Sequence, residues 1–232
     1  MVISGKSIIF TGGATLLNFL YNSKLAVVNW LYIIVNISNL KSVGVTPEIS
    51  DEYEEVVDQI RSIGKGPYVK DWAMAKKHGL ILYNTIRNKR PDCVLETGVA
   101  NGFSTRIILE AMEKNGSGKL YSVDIKNDVG KFVKAGPSKI KKRWNLIINK
   151  KMRQLDSLIK RGGLDIFIHD SDHSYKNMIY EFDVAYKRVR SGGLIMSDDT
   201  NSNSAFLDFC RSKGLNFELY PSFRKTFGIA YV

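Results

Sequence analysis

The fold is decided by residues 93–125, where CVLETGVANGFST (93–105) and KLYSVDI (119–125) flank a helical stretch. The first apolar run enters a turn containing Gly98 and Gly102, and the small polar pair Ser104 and Thr105 opens the helix behind it. Glycine lets a backbone approach a ligand closely, and a helix N-terminus offers free N–H groups and a positive dipole end, suited to a carboxylate or phosphate. The second run ends in Asp124, about 20 residues past the glycines, where an acid at a strand tip can accept hydrogen bonds from both hydroxyls of a ribose. Either feature alone also occurs without a ligand. The two together indicate a nucleoside cofactor.

Outward from this pair, further apolar runs at 144–149, 164–170 and 193–199 alternate with helical or basic segments. That rhythm predicts a parallel sheet with helices on both faces. The chain ends in LNFELY (215–220) and TFGIAYV (226–232), joined by PSFRK, a link that permits only antiparallel pairing. The expected fold is therefore α/β: a Rossmann-like, doubly wound, seven-stranded sheet, mostly parallel, with an antiparallel C-terminal strand. Upstream, SDEYEEVVDQIRSIGKG reads as a helix capped by Ser50 or Asp51 and stopped at Gly64. A second helix follows from Asp71 to just before Pro91, with Trp72, Ala75, Leu80, Leu82 and Ile86 on one stripe.

The spacing Glu96-x-Gly98-x-x-x-Gly102, followed by the acid ending strand two, resembles the class I S-adenosylmethionine-dependent methyltransferases from about Gly66 to Val232. The terminal antiparallel hairpin is also a mark of that family. The resemblance implies that Gly98 and Gly102 pass under the methionine part of S-adenosylmethionine, that Ser104 touches its carboxylate, that Glu96 lies near its amine and that Asp124 holds the ribose. Related enzymes often place an acid near the adenine after strand three. This chain has NKKMRQ there, so Met152 is expected to pack on the ring while polar recognition of adenine stays unassigned.

A second constellation lies in HDSDHSY (169–175) and SDD (197–199), at the tips of strands expected to be neighbours. Asp170, Asp172 and His173 would emerge beside Asp198 and Asp199 on the rim where such sheets bind ligands. Carboxylates gathered there repel unless something positive sits between them, and a hard divalent ion such as Mg²⁺ is the simplest remedy. The alternative is ordinary capping of the helix in NSAFLDFCRSKG by Asp198 or Asp199. The pattern is similar to that of metal-dependent small-molecule O-methyltransferases, both catechol-type enzymes and those that modify sugar hydroxyls of natural products. That likeness implies Asp170, Asp198 and Asp199 as ligands of Mg²⁺ or another divalent cation and His173 as general base. Catechol-type enzymes usually carry lysine as the base, so histidine looks more like the sugar-modifying branch. Coordination lowers a hydroxyl's pKa, and an imidazole near 6.5 can then take its proton. His78 and His169 are read as structural, and Asp172 is left unplaced.

The 232 residues carry a formal net charge of +11, and 126–153 alone holds ten basic residues against Asp128. The charge is thus concentrated beside the ribose-binding acid, where a solvated face, an anionic acceptor, a membrane surface or RNA would each account for it. Cys93 and Cys210 are too few for a disulfide framework. Two apolar stretches, 7–20 and 25–40, are interrupted by glycine, asparagine or serine and do not read as membrane spans. The expected organisation is an apolar helical arm at 1–45, serving as lid, oligomerisation element or membrane contact, a helical cap at 46–90 and the methyltransferase core at 91–232. The expected partner is a small-molecule hydroxyl acceptor, such as a sugar, in a cytoplasmic protein with the option of peripheral membrane contact and homo-oligomers. An RNA methyltransferase using 126–153, or a membrane-associated enzyme acting on lipid-linked acceptors, is the alternative.

Overall fold

In the computed structural model the described residues are 3–4, 7–8, 44–64, 74–148, 159–222 and 225–232. Two short strands, β1 (Ile3–Ser4) and β2 (Ser7–Ile8), pair antiparallel where a helical arm was expected. Of the rest of that arm, only Gly44 and Val45 are among the described residues.

Helix α1 (Pro47–Ser62) starts earlier than its acidic run suggests, because Thr46 is the cap. Its hydroxyl accepts the Ile49 N–H at 3.3 Å, and Pro47 occupies the first turn, where a missing N–H costs nothing. Helix α2 (Lys76–Lys89) begins after the expected cap Asp71, which is outside the described residues. Then come β3 (Cys93–Thr97), α3 (Phe103–Asn115), β4 (Lys119–Asp124), the short α4 (Lys131–Lys134) and α5 (Ser138–Lys141), and β5 (Trp144–Ile148). They are followed by β6 (Leu164–His169), α6 (Tyr175–Tyr186), β7 (Val189–Ser197), α7 (Ala205–Lys213), β8 (Asn216–Pro221) and β9 (Thr226–Tyr231). The sheet runs β5-β4-β3-β6-β7-β9-β8, parallel except that β9 is antiparallel to both of its neighbours. This is the seven-stranded Rossmann-like arrangement that the alternating runs and the short PSFRK link imply.

Successive side chains of a strand point to opposite faces, and the central strands are apolar on both. Val94, Ile166, Ile168, Leu194 and Met196 join one core with α1, α2 and α3. Leu95, Phe167 and Ile195 join the other with α6 and α7. Among the described residues no helix is long and apolar enough to cross a membrane. The stretches 7–20 and 25–40 lie outside them apart from Ser7–Ile8.

The turn after β3 is locked against the end of β6. Asp170 N donates to Thr97 O at 2.9 Å, and a Cβ added at Gly98 (φ +84°) would stand 2.0 Å from the Asp170 carbonyl oxygen. Gly98 is therefore required by a protein contact, whatever else it accommodates. That contact fixes the two expected functional constellations relative to each other.

Candidate active site

Glu96 stands on β3 with its carboxylate wholly inside the protein. Ser104 donates to Oε1 at 2.5 Å, while Thr105 and Ser122 donate to Oε2 at 2.8 and 2.9 Å. Burial pushes the Glu96 carboxyl up to about 7, against the pull of those three hydroxyls. Glu96 thus ties β3 to α3 and β4 beneath the glycine turn, and the Ser104 hydroxyl is committed to it. Asp124, at the tip of β4, accepts the Val99 N–H at 2.8 Å on Oδ2 and the Lys126 N–H at 2.9 Å on Oδ1. Its carboxylate closes the turn across to the neighbouring strand. No side chain caps α3, whose N-cap is Gly102 in the left-handed region, so the first N–H groups of the helix face the turn. Met152 lies outside the described residues.

The β6 and β7 tips bring Asp170, His173, Asp198 and Asp199 together. His173 Nε2 is 3.5 Å from Asp199 Oδ2 and 4.0 Å from Asp170 Oδ1. Asn203 donates to the His173 carbonyl at 2.7 Å and anchors its backbone. Burial, aided by neighbouring His169, moves the His173 imidazole below its usual pKa, although Asp199 and Asp198 oppose the shift. Burial also holds the Asp170 carboxyl well above the usual range, and the charge of Asp198 adds to it. For Asp198 burial acts in the same direction, but His78 and Lys225 outweigh it and the carboxyl lies below its ordinary value.

Those two partners were not among the residues singled out for chemistry. His78, read as structural, comes from α2 and is completely buried with Nδ1 3.1 Å from Asp198 Oδ1, where it holds that carboxylate in place. Lys225 places its ammonium 2.8 Å from Asp199 Oδ2 and 3.3 Å from Asp198 Oδ2. A cation therefore already sits between two of the acids. Lys225 could have been placed from the sequence, because an antiparallel β9 must begin at the end where β7 finishes. Nothing local marked His78, which meets Asp198 from 120 positions away.

The remaining residues settle into supporting roles. His169 is buried, with Nδ1 2.7 Å from Glu181 Oε2, and Glu181 also accepts from Thr97 and Ser171. Asp172 accepts from Ser174 N and Oγ at the start of α6. Neither Asp198 nor Asp199 caps α7. Asn203 takes the Ala205 N–H at 2.8 Å instead.

The acids offer carboxylate oxygens, the donor type that a hard divalent ion takes. The ammonium of Lys225 lies on two of them. The side chains are not drawn into a ready shell: among the described residues no group of three or more His, Cys, Asp or Glu is gathered as a metal site.

Residues 95–200 match a family model described as a methyltransferase domain. No curated protein shows significant similarity to the chain. Among solved structures, the cofactor-bound Rv0187 from MTB superposes with a TM-score of 0.58 at 15% identity, covering 82% of this chain and 92% of that one. The O-methyltransferase TomG from Streptomyces achromogenes, involved in tomaymycin synthesis and solved with S-adenosylmethionine, gives 0.54 at 14% identity, with 85% and 95% covered. An O-methyltransferase from Bacillus cereus, solved with S-adenosylhomocysteine, gives 0.54 at 14% identity, with 87% and 99% covered. Residues 95–200 thus resemble a methyltransferase domain, and the fold is shared with these solved methyltransferase structures.

Proposed function

We propose that the protein is an S-adenosylmethionine-dependent, Mg²⁺-assisted O-methyltransferase acting on a hydroxyl of a sugar or other small molecule, with His173 as general base. The observation that carries the reading is the position of His173 Nε2 between Asp170 and Asp199, on the rim shared with the glycine turn. An imidazole held below its usual pKa is neutral near pH 7 and ready to accept a proton. Methyl transfer from sulfonium to oxygen needs an acceptor hydroxyl aligned with the methyl group and relieved of its proton. In this reading Asp124 and the uncapped start of α3 bind the cofactor, Gly98 and Gly102 leave it room, and Glu96 holds the turn rigid from below. Asp170, Asp198 and Asp199 would hold Mg²⁺, which when bound acidifies and orients the acceptor oxygen. His173 removes the proton, and Asn203 keeps the histidine in place.

One cleft of the basic flank, lined by Glu113, Gly118, Lys119, Lys139, Lys142 and Arg143, opens where β4 begins, at the opposite end of that strand from Asp124, while Lys126 adjoins Asp124 itself. Cytoplasmic location, peripheral membrane contact and self-association through residues 1–45 belong to the same proposal.

The test is release of demethylated cofactor over a panel of sugar, phenol and RNA acceptors, with and without EDTA. Transfer to a small hydroxyl acceptor, abolished by EDTA, is expected. His173→Gln should lower kcat by about 10²–10⁴-fold while leaving S-adenosylhomocysteine affinity unchanged. Full activity in the variant would remove the base assignment, and full activity in EDTA would remove the metal.

A further inference from the structure

We propose that Lys225 is a tethered competitor for the divalent-ion position, so that metal loading of this site is an exchange of one cation for another. The inference rests on the reading of Asp170, Asp198 and Asp199 as the cation-holding acids, and it adds a residue from another part of the chain that controls them. Lys225 bridges the two acids that follow β7, with 2.8 Å to Asp199 Oδ2 and 3.3 Å to Asp198 Oδ2. The other oxygen of Asp198 is engaged by buried His78. An ion using the free side of these carboxylates would meet the ammonium at close range, and like charges on shared oxygens repel.

The two partners of Asp198 differ in their freedom to leave. The His78 side chain is wholly enclosed, whereas the Lys225 side chain is 19% exposed and sits just before β9 on a flexible four-carbon stem. The ammonium can therefore withdraw toward solvent while His78 continues to orient Asp198. In the exchanged state Asp198 and Asp199 each regain the oxygen that Lys225 occupies. A lysine here lowers metal affinity and sets the concentration at which the site fills, and it keeps the acids apart from stray cations until then.

The experiment measures Mn²⁺ binding by electron paramagnetic resonance, without acceptor or methyl transfer, in the wild type, Lys225→Met and Lys225→Arg. Lys225→Met is expected to bind Mn²⁺ at least about tenfold more tightly than the wild type, and Lys225→Arg to stay close to it. Adding Asp198→Ala to Lys225→Met should abolish the gain. Equal affinity in the wild type and Lys225→Met would overturn the competition, and so would a gain that survives Asp198→Ala. S-adenosylhomocysteine binding reports whether each variant is folded, and Lys225→Gln replaces Lys225→Met if the latter is not. Because binding is read directly, a protein that binds Mn²⁺ as described but transfers no methyl group would sink the proposed activity and leave the exchange standing.

Discussion

The two halves of the rim solve the same problem differently. On the β3–β4 side, Glu96 and Asp124 are satisfied by neutral donors, three hydroxyls for one and backbone N–H groups for the other. On the β6–β7 side, Asp198 and Asp199 are met by an imidazole and an ammonium, and Asp170 is left with its carboxyl far above the normal range. Neutral donors hold a shape without bringing a second charge to it. Charged and titratable partners leave a region whose protons and ions can be exchanged. Under the proposed function, the first half would bind the cofactor and the second would perform the chemistry.

The largest expected effect comes from breaking the contact between the halves. Gly98→Ala would force a side chain into a left-handed backbone, with its Cβ 2.0 Å from the Asp170 carbonyl oxygen. The obstacle is backbone, which cannot rotate away. Destabilisation of at least about 3 kcal/mol is expected in urea denaturation, through strain and overpacking together. A loss below about 1 kcal/mol would mean that the halves can separate without cost, and the shared geometry of the rim would have to be abandoned.

The same contrast governs what the sequence revealed. The partners of Glu96 come from positions 8, 9 and 26 residues away, within one strand-helix-strand unit. The unit's glycines and acids are therefore visible as a local pattern. Strand positions were legible for a similar reason, since apolar runs covered on both faces stand out from polar connections. The acids at the β6 and β7 tips were legible too, because parallel strands place their ends on one rim. Their partners were harder to see. His78 reaches Asp198 across 120 residues, and Lys225 lies in a link read only for its length. Repulsion among these acids calls for a positive group, and the chain itself supplies one in Lys225. Thr46 caps α1 ahead of the acids at 51–55, so the acidic run does not mark where the helix begins.

A smaller effect separates the halves by pH. With its carboxyl pushed up to about 7 from 4.5, Glu96 binds its proton more tightly in the folded protein than in the unfolded chain. Its contribution to stability is therefore complete below about pH 4.5 and is lost as pH rises through about 7, amounting to roughly 3 kcal/mol. Glu96→Gln keeps the shape, and an amide can still accept from hydroxyls, but it does not titrate. The variant's stability relative to wild type should rise between pH 5 and pH 8 in matched urea titrations. Parallel curves for the two proteins would show that the Glu96 carboxyl is not shifted, and the β3–β4 side would then differ from the acid rim less than its hydrogen bonds suggest.

The smallest effect probes whether neutral donors really carry the β3–β4 side. Ser104→Ala removes the hydroxyl on Glu96 Oε1 and leaves Thr105 and Ser122 on Oε2. One hydrogen bond to a buried group is worth about 1 kcal/mol when the group is neutral and about 1.5–3 kcal/mol when it is charged. The cost of Ser104→Ala should accordingly be greater at pH 8, where more of Glu96 is ionised, than at pH 5. Losing a donor to the charged form also moves the Glu96 carboxyl further upward. If Ser104 instead served mainly to hold the cofactor carboxylate, the variant would lose S-adenosylhomocysteine affinity with little pH-dependent change in stability. The two measurements together assign the hydroxyl either to the scaffold beneath the turn or to the ligand above it.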